Sequence, residues 1–316
     1  MSTDSLGNLF DRLRGSVDDA EEPSESPGAT EPAATEATER TEVVAEAPVA
    51  GEMPEVPEFE ALVVEVVDEF ATEPVEPEPK WPIFSPAESV SLDDVGLRRR
   101  RDAALETALG VLLPRAKRRL QDEQNELLDA LRRQKAKVDA DTAMPTADEQ
   151  LGGWAELLAP VLDDTYAAGR TLGGGRTRPA PARLVARITE LLVLPLRERV
   201  LASLEAVVRD GPYDGPAEWQ RVITAAVGAR YREWRTQDLE PLLGDLVVVA
   251  FARGVYDATP DGTRLRWLPA EVEQCPDADD NALEPTAKGG PFPTGQSCPP
   301  AHPGCRCLVV PELATP

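Results

Sequence analysis

All four cysteines of this 316-residue chain, Cys275, Cys298, Cys305 and Cys307, and its only histidine, His302, fall within residues 275–307. Thiolates and an imidazole gathered in one Pro/Gly-rich loop are the ligand types that zinc selects in tetrahedral sites. Three residues separate Cys298 from His302, two separate His302 from Cys305, and one separates Cys305 from Cys307. The last four groups therefore share one tight turn, and Cys275 must come across from the start of the loop. A loop this poor in apolar residues is expected to have no core of its own, so metal binding would supply the energy that orders it. Arg306, between two thiols, would favour their ionised form. Two other readings compete: a disulfide such as Cys275–Cys298, and free thiols with His302 as a hydrogen-bonding loop residue. Five candidate ligands for four positions point to a closed structural site rather than an open catalytic one.

The rest of the chain is organised by charge. Of 57 acidic and 33 basic residues, residues 1–90 hold 23 acidic and 4 basic, a net charge of −19. The overall charge of −24 therefore describes a tail, and a basic nucleic-acid coat is not indicated. From Ser16 to about Val90 the composition is Glu, Pro, Ala, Thr and Ser, which cannot bury enough apolar surface to offset its ordering entropy. Residues 1–90 are expected to be disordered. Phe59, Leu62, Val63, Val66, Val67 and Phe70 interrupt them at helical spacing, with acidic residues opposite. That segment reads either as a docking helix for a partner groove or as an unstructured β-branched run.

Residues 91–258 read as a helical body. Ser91 to Val138 predicts a long helix, interrupted or kinked at Pro114, with Leu113, Leu120 and Leu127 seven apart. Lys117, Gln124 and Gln134 spoil a heptad seam, so a bundle helix is favoured over a coiled coil. Thr146-x-x-Glu149 is a capping-box signal for a second helix carrying Leu151, Trp154, Leu158 and Leu162, ended by Gly173–Gly175. Pro181–Arg209 is the third, with Leu184, Ile188, Leu191, Leu192 and Leu204 buried and Gly211-Pro212 as its stop. Ala217 to about Tyr256 is a fourth, or two pieces broken near Pro241. Trp219, Ile223, Val227, Tyr231 and Trp234 face inward in its first part, and Leu243, Val247, Ala250 and Phe251 in its second. Thr263–Leu268 and Cys307–Val310 are strand signals that could pair. The expected fold is mainly α: a helical bundle with a small zinc-stapled β/loop module over residues 259–316, preceded by the disordered acidic tail.

The stretch from Trp267 through Cys275-Pro-Asp and Phe292-Pro-Thr-Gly to Pro299-Pro-Ala-His302-Pro-Gly-Cys305-Arg-Cys307-Leu-Val-Val310-Pro resembles the C-terminus of the phage Mu-type head morphogenesis family. Those proteins end in a Cys-x-x-Cys step, a small loop, a Pro-Pro-x-His-Pro-x-Cys-Arg-Cys run and a short strand. The second half matches almost fully. In the first half, Ala278 stands where the family often has its second cysteine. Cys298 is the candidate substitute; without it, Cys275, His302, Cys305 and Cys307 remain. The resemblance covers residues 236–311 and implies a minor virion component acting in head assembly or entering the head with DNA. Portal or capsid proteins would be its partners, and the cytoplasm or the virion its location. The acidic tail is not a family feature, which leaves open a chromosomal adaptor derived from such a module.

Enzyme readings have little to stand on. Any Ser-His-Asp or Cys-His mechanism must use His302, which lies among thiols and prolines without an evident orienting carboxylate. Asp277-x-Asp279-x-Asn281 lacks the glycine of a calcium loop, and Gly173–Gly175 lacks the lysine of a phosphate loop. No stretch reaches the roughly 18 apolar residues of a membrane span. Arg98, Arg99, Arg100 and Arg101 open a basic helix that reads as a contact for DNA or an acidic partner, as a solvated face, or as a surface screened by the acidic tail.

Overall fold

The computed structural model describes residues 93–134, 140–271 and 275–312. The acidic tail with its Phe59–Phe70 segment lies outside the described residues, as does Val138. Helix α1 runs from Asp94 to Gln134. Asp93 starts it by accepting the Gly96 N–H at 2.8 Å, the contact an N-cap aspartate makes with the third helical residue. Leu105, Ala108, Leu112, Ala116, Leu120, Leu127 and Leu131 form its buried stripe. Pro114 does not interrupt this helix: it lies on the exposed side, where the Gly110 carbonyl that loses its N–H partner is exposed to solvent.

A single turn, α2 (Ala140–Ala143), precedes α3 (Ala147–Leu172). The Thr146/Glu149 capping box is present in full. Helix α4 (Ala182–Arg209) carries the expected stripe. The fourth helix is two pieces, α5 (Pro216–Glu233) and α6 (Leu239–Ala258), joined by a π turn at Trp234–Asp238. The break thus falls before Pro241, which sits in the first turn of α6. The π turn widens the helix just before it, with the Leu239 N–H bonded to the Trp234 carbonyl five residues back. Trp219 is only half-buried, tilted against Tyr213 at 5.5 Å.

Sixteen of the 20 residues of α6 are buried, so it is the bundle's central element rather than a one-faced helix. Its closest neighbour is α3. A Cβ on Gly169 would overlap the Phe251 carbonyl oxygen, and one on Gly254 would overlap the Tyr166 carbonyl oxygen. The two helices meet backbone to backbone. Tyr166 Oη donates to Asp257 at 2.6 Å across the same seam.

A polar cluster around Glu123 is buried in the body. Glu123 of α1, 5% exposed, accepts from Trp154 Nε1 at 2.8 Å, Gln150 Nε2 at 3.1 Å and Arg119 Nε at 3.0 Å. Burial pushes its carboxyl above the usual range, against the opposing pull of Arg119 and the donors. Glu123→Ala leaves a buried indole N–H and amide unpaired and is expected to cost about 3 kcal/mol. A denaturant midpoint lowered at unchanged slope would show this, and a cost near zero would show that the cluster holds nothing together.

Beyond α6 lie β1 (Arg264–Leu268), the short helix α7 (Ala278–Ala282), β2 (Thr286–Ala287) and β3 (Leu308–Pro311). They form a sheet of order β2-β1-β3. The expected pairing of the two main strands is present and antiparallel, with Trp267 opposite Val309 and Leu268 opposite Leu308. The segment does have a core: Trp267 and Phe292 are buried and meet edge-to-face at 5.0 Å. Fully buried Asn281 pins the intervening loop by exchanging hydrogen bonds with Thr294. Among the described residues no helix is long and apolar enough to cross a membrane.

Candidate metal centre

The sheet and its turns bring three of the cysteines together. The Sγ atoms of Cys275, Cys305 and Cys307 all lie within 4.8 Å of one another. Cys275 opens a turn closed by the Ala278 N–H on its carbonyl at 3.1 Å. Cys305 closes a second turn, its N–H bonded to the His302 carbonyl at 3.0 Å. Gly304, at φ +76°, supplies the left-handed residue that this turn requires. Cys307 leads directly into β3. Around a tetrahedral zinc, sulfurs stand roughly 3.8 Å apart, so closure on an ion needs a shift of about 1 Å or less.

Burial and neighbouring N–H groups act in opposite directions on the three thiols. The Ala270 N–H and the Trp267 indole stabilise charge on Cys307, the Ala301 and Cys307 N–H groups on Cys305, and the Asp277 N–H on Cys275. The Trp267 Nε1 is buried and has no other hydrogen-bond partner among the described residues. The three thiols are also coupled. The Cys305 thiol lowers the pKa of Cys307 by hydrogen bonding, and the same bond raises that of Cys305. Burial raises Cys275. No two of the four cysteines are joined by a disulfide.

The thiol turn is anchored to the helical body at Asp245 and Arg101. Arg306, between Cys305 and Cys307, donates to Asp245 of α6 at 2.8 Å. The same carboxylate accepts the Gly304 N–H at 3.0 and 3.1 Å. Asp245 is 3% exposed, so Arg306 neutralises a buried carboxylate, a role different from the expected stabilisation of the thiolates. The Arg306 carbonyl accepts from buried Arg101 of α1. Arg98 donates to the Pro269 carbonyl at 2.8 Å and pairs with Glu271, and Arg266 pairs with Asp94 at 2.7 Å. Two of the four arginines read as a nucleic-acid contact thus hold the start of α1 against the module. Arg99 and Arg100 are exposed.

The other two expected ligands lie outside the thiol group. Cys298 is 1% exposed and is not one of the three converging thiols. His302 is half-buried, with Nδ1 2.8 Å from the Pro303 carbonyl oxygen. Its Nε2 is buried and has no hydrogen-bond partner among the described residues. Asp245, Arg101 and Trp267 support the site and were not singled out from the sequence as doing so. Asp245 did carry a signal: it is the lone acid inside the apolar run Leu242–Phe251.

Asp245→Ala should leave the Gly304 N–H and the Arg306 guanidinium without their acceptor and loosen the turn. Metal affinity, read by competition with a chromophoric chelator, is expected to fall about 10- to 100-fold, as for other outer-shell losses. An unchanged affinity would separate this anchor from the site. Compared with protein-family models, curated proteins and solved structures, the chain matches none.

Proposed function

We propose that this chain is a structural or assembly protein of the phage minor-head type, whose C-terminal module is stapled by a structural zinc ion. The observation that carries the reading is the convergence of Cys275, Cys305 and Cys307 within 4.8 Å. These residues come from the two halves of the motif that resembles the head morphogenesis family. Soft thiolate ligands on tight turns favour zinc over calcium, magnesium or manganese. The anchoring at Asp245 and Arg101 supports a structural rather than catalytic part, because it ties the cluster to α6 and α1 of the helical body. His302 also fits that part: its Nδ1 engages a carbonyl, whereas a general base is oriented by a carboxylate.

The module would present a rigid surface to portal or capsid proteins, with the acidic tail and its Phe59–Phe70 segment as a second contact. In a virion role the chain belongs in purified particles, so mass spectrometry of particles from cells carrying the gene tests it. Recovery with portal and capsid proteins is the expected result. Consistent absence from particles, together with a gene remote from portal and terminase genes, would favour the chromosomal adaptor.

A further inference from the structure

We infer that His302 Nε2 is the fourth ligand of this centre and that Cys298 is not a ligand; this rests on the metal reading above. Three thiolates leave one vertex of a zinc tetrahedron to be filled. Two side chains in the same loop are chemically able to fill it, and the structure treats them differently.

His302 shares the turn that carries Cys305, its carbonyl bonded to the Cys305 N–H at 3.0 Å. Its Nδ1 faces the Pro303 carbonyl oxygen at 2.8 Å. A carbonyl can only accept, so this contact places the proton on Nδ1 and leaves the Nε2 lone pair unprotonated. That Nε2 is buried and unpartnered among the described residues. A buried lone pair with nothing to accept from calls for a partner that is absent here, and a cation supplies one. A metal-bound imidazole commonly has this arrangement, one nitrogen on the ion and the other donating to a backbone carbonyl. The Nε2 is outside the 4.8 Å thiol group, so binding requires the His302 side chain to swing toward the sulfurs.

With His302 in the fourth position no vertex is left for Cys298, which is buried and lies outside the thiol group. Ala278, which follows Cys275 by three residues, offers no ligand atom. The set is therefore Cys275, His302, Cys305 and Cys307.

X-ray absorption on the zinc-loaded full chain tests this without any substitution. Three sulfurs at about 2.3 Å and one nitrogen at about 2.0 Å are expected; four sulfurs, or three sulfurs with only water oxygen in the unmutated protein, would overturn it. In parallel, His302→Ala should weaken zinc binding by more than the roughly 10- to 100-fold of an outer-shell loss. Cys298→Ala should leave affinity unchanged within about 2-fold. A His302→Ala protein that keeps full affinity, or a Cys298→Ala protein that loses it, contradicts the assignment while leaving the metal reading intact. A wild-type chain that binds no zinc overturns both.

Discussion

Gly254→Ala is expected to destabilise the helical body by about 4 kcal/mol, and Gly169→Ala by a similar amount. The physical reason is contact between backbones rather than between side chains. At each position an added Cβ would overlap a carbonyl oxygen of the facing helix, Tyr166 for Gly254 and Phe251 for Gly169. Flexible side chains can move aside; a helical carbonyl can do so only if the whole helix shifts. Because α6 is buried on nearly every side, displacing it disturbs the packing of α1 and α4 as well. Gly152→Ala in the same helix α3 is the control, since Gly152 is exposed and has no atom within 4 Å of the added Cβ. It should stabilise by up to about 1 kcal/mol through helix propensity. Opposite signs for two identical substitutions in one helix would establish the close crossing; equal effects would dismiss it.

The second large effect concerns the module. Cys305→Ser and Cys307→Ser are each expected to abolish zinc binding at micromolar metal, and a strong chelator should loosen residues 264–311 of the wild type. Hydrogen exchange should locate the change, with protection lost in β1 and β3 and retained in α3 and α6. Trp267 supplies a second readout, being buried against Phe292 and close to Cys307. The loosening is expected to be partial, because Trp267, Phe292 and the β1–β3 pairing hold the module through buried contacts that do not involve metal. A chelator that unfolds α3 and α6 as well would mean that the centre supports the body and not the module alone.

The sequence and the structure agree where signals are periodic or local. The Thr146/Glu149 box, the stripe of Pro181–Arg209 and the pairing of Thr263–Leu268 with Cys307–Val310 all follow from spacing and turn chemistry. The misses share one cause: each depends on which residues meet across the fold. Pro114 was read as an interruption or a kink, and of these the interruption is absent, because its exposure on α1 is a tertiary fact. The all-round burial of α6 was read as a single stripe, because a helix with neighbours on every side looks the same over one period. Gly169-x-x-x-Gly173 and Gly254-x-x-x-Ala258 do carry a legible signal, small residues four apart on each helix, yet Gly173 was read only as a helix stop.

The candidate centre divides in the same way. Clustering of cysteine and histidine marked the region, because ligand types are visible in composition. Which ligands converge was not visible, since Cys298 and Cys275 differ in where the loop takes them and not in their chemistry. Ala278, Asn281 and Thr294 shape that loop through a turn, a short helix and a buried side-chain pair, none of which has a strong local pattern. Arg98 and Arg101 looked like surface charge because their acceptors lie about 170 and 205 residues further along the chain. Charge runs reveal sign but not partner.

The central claim is that a thiolate-bound metal ion staples the C-terminal module, and elemental analysis of the purified full chain tests it most directly. About one zinc per chain is predicted, retained through gel filtration and lost from Cys305→Ser and Cys307→Ser. A correctly folded wild-type protein that carries no metal, and takes up none when zinc is supplied under reducing conditions, would contradict the account.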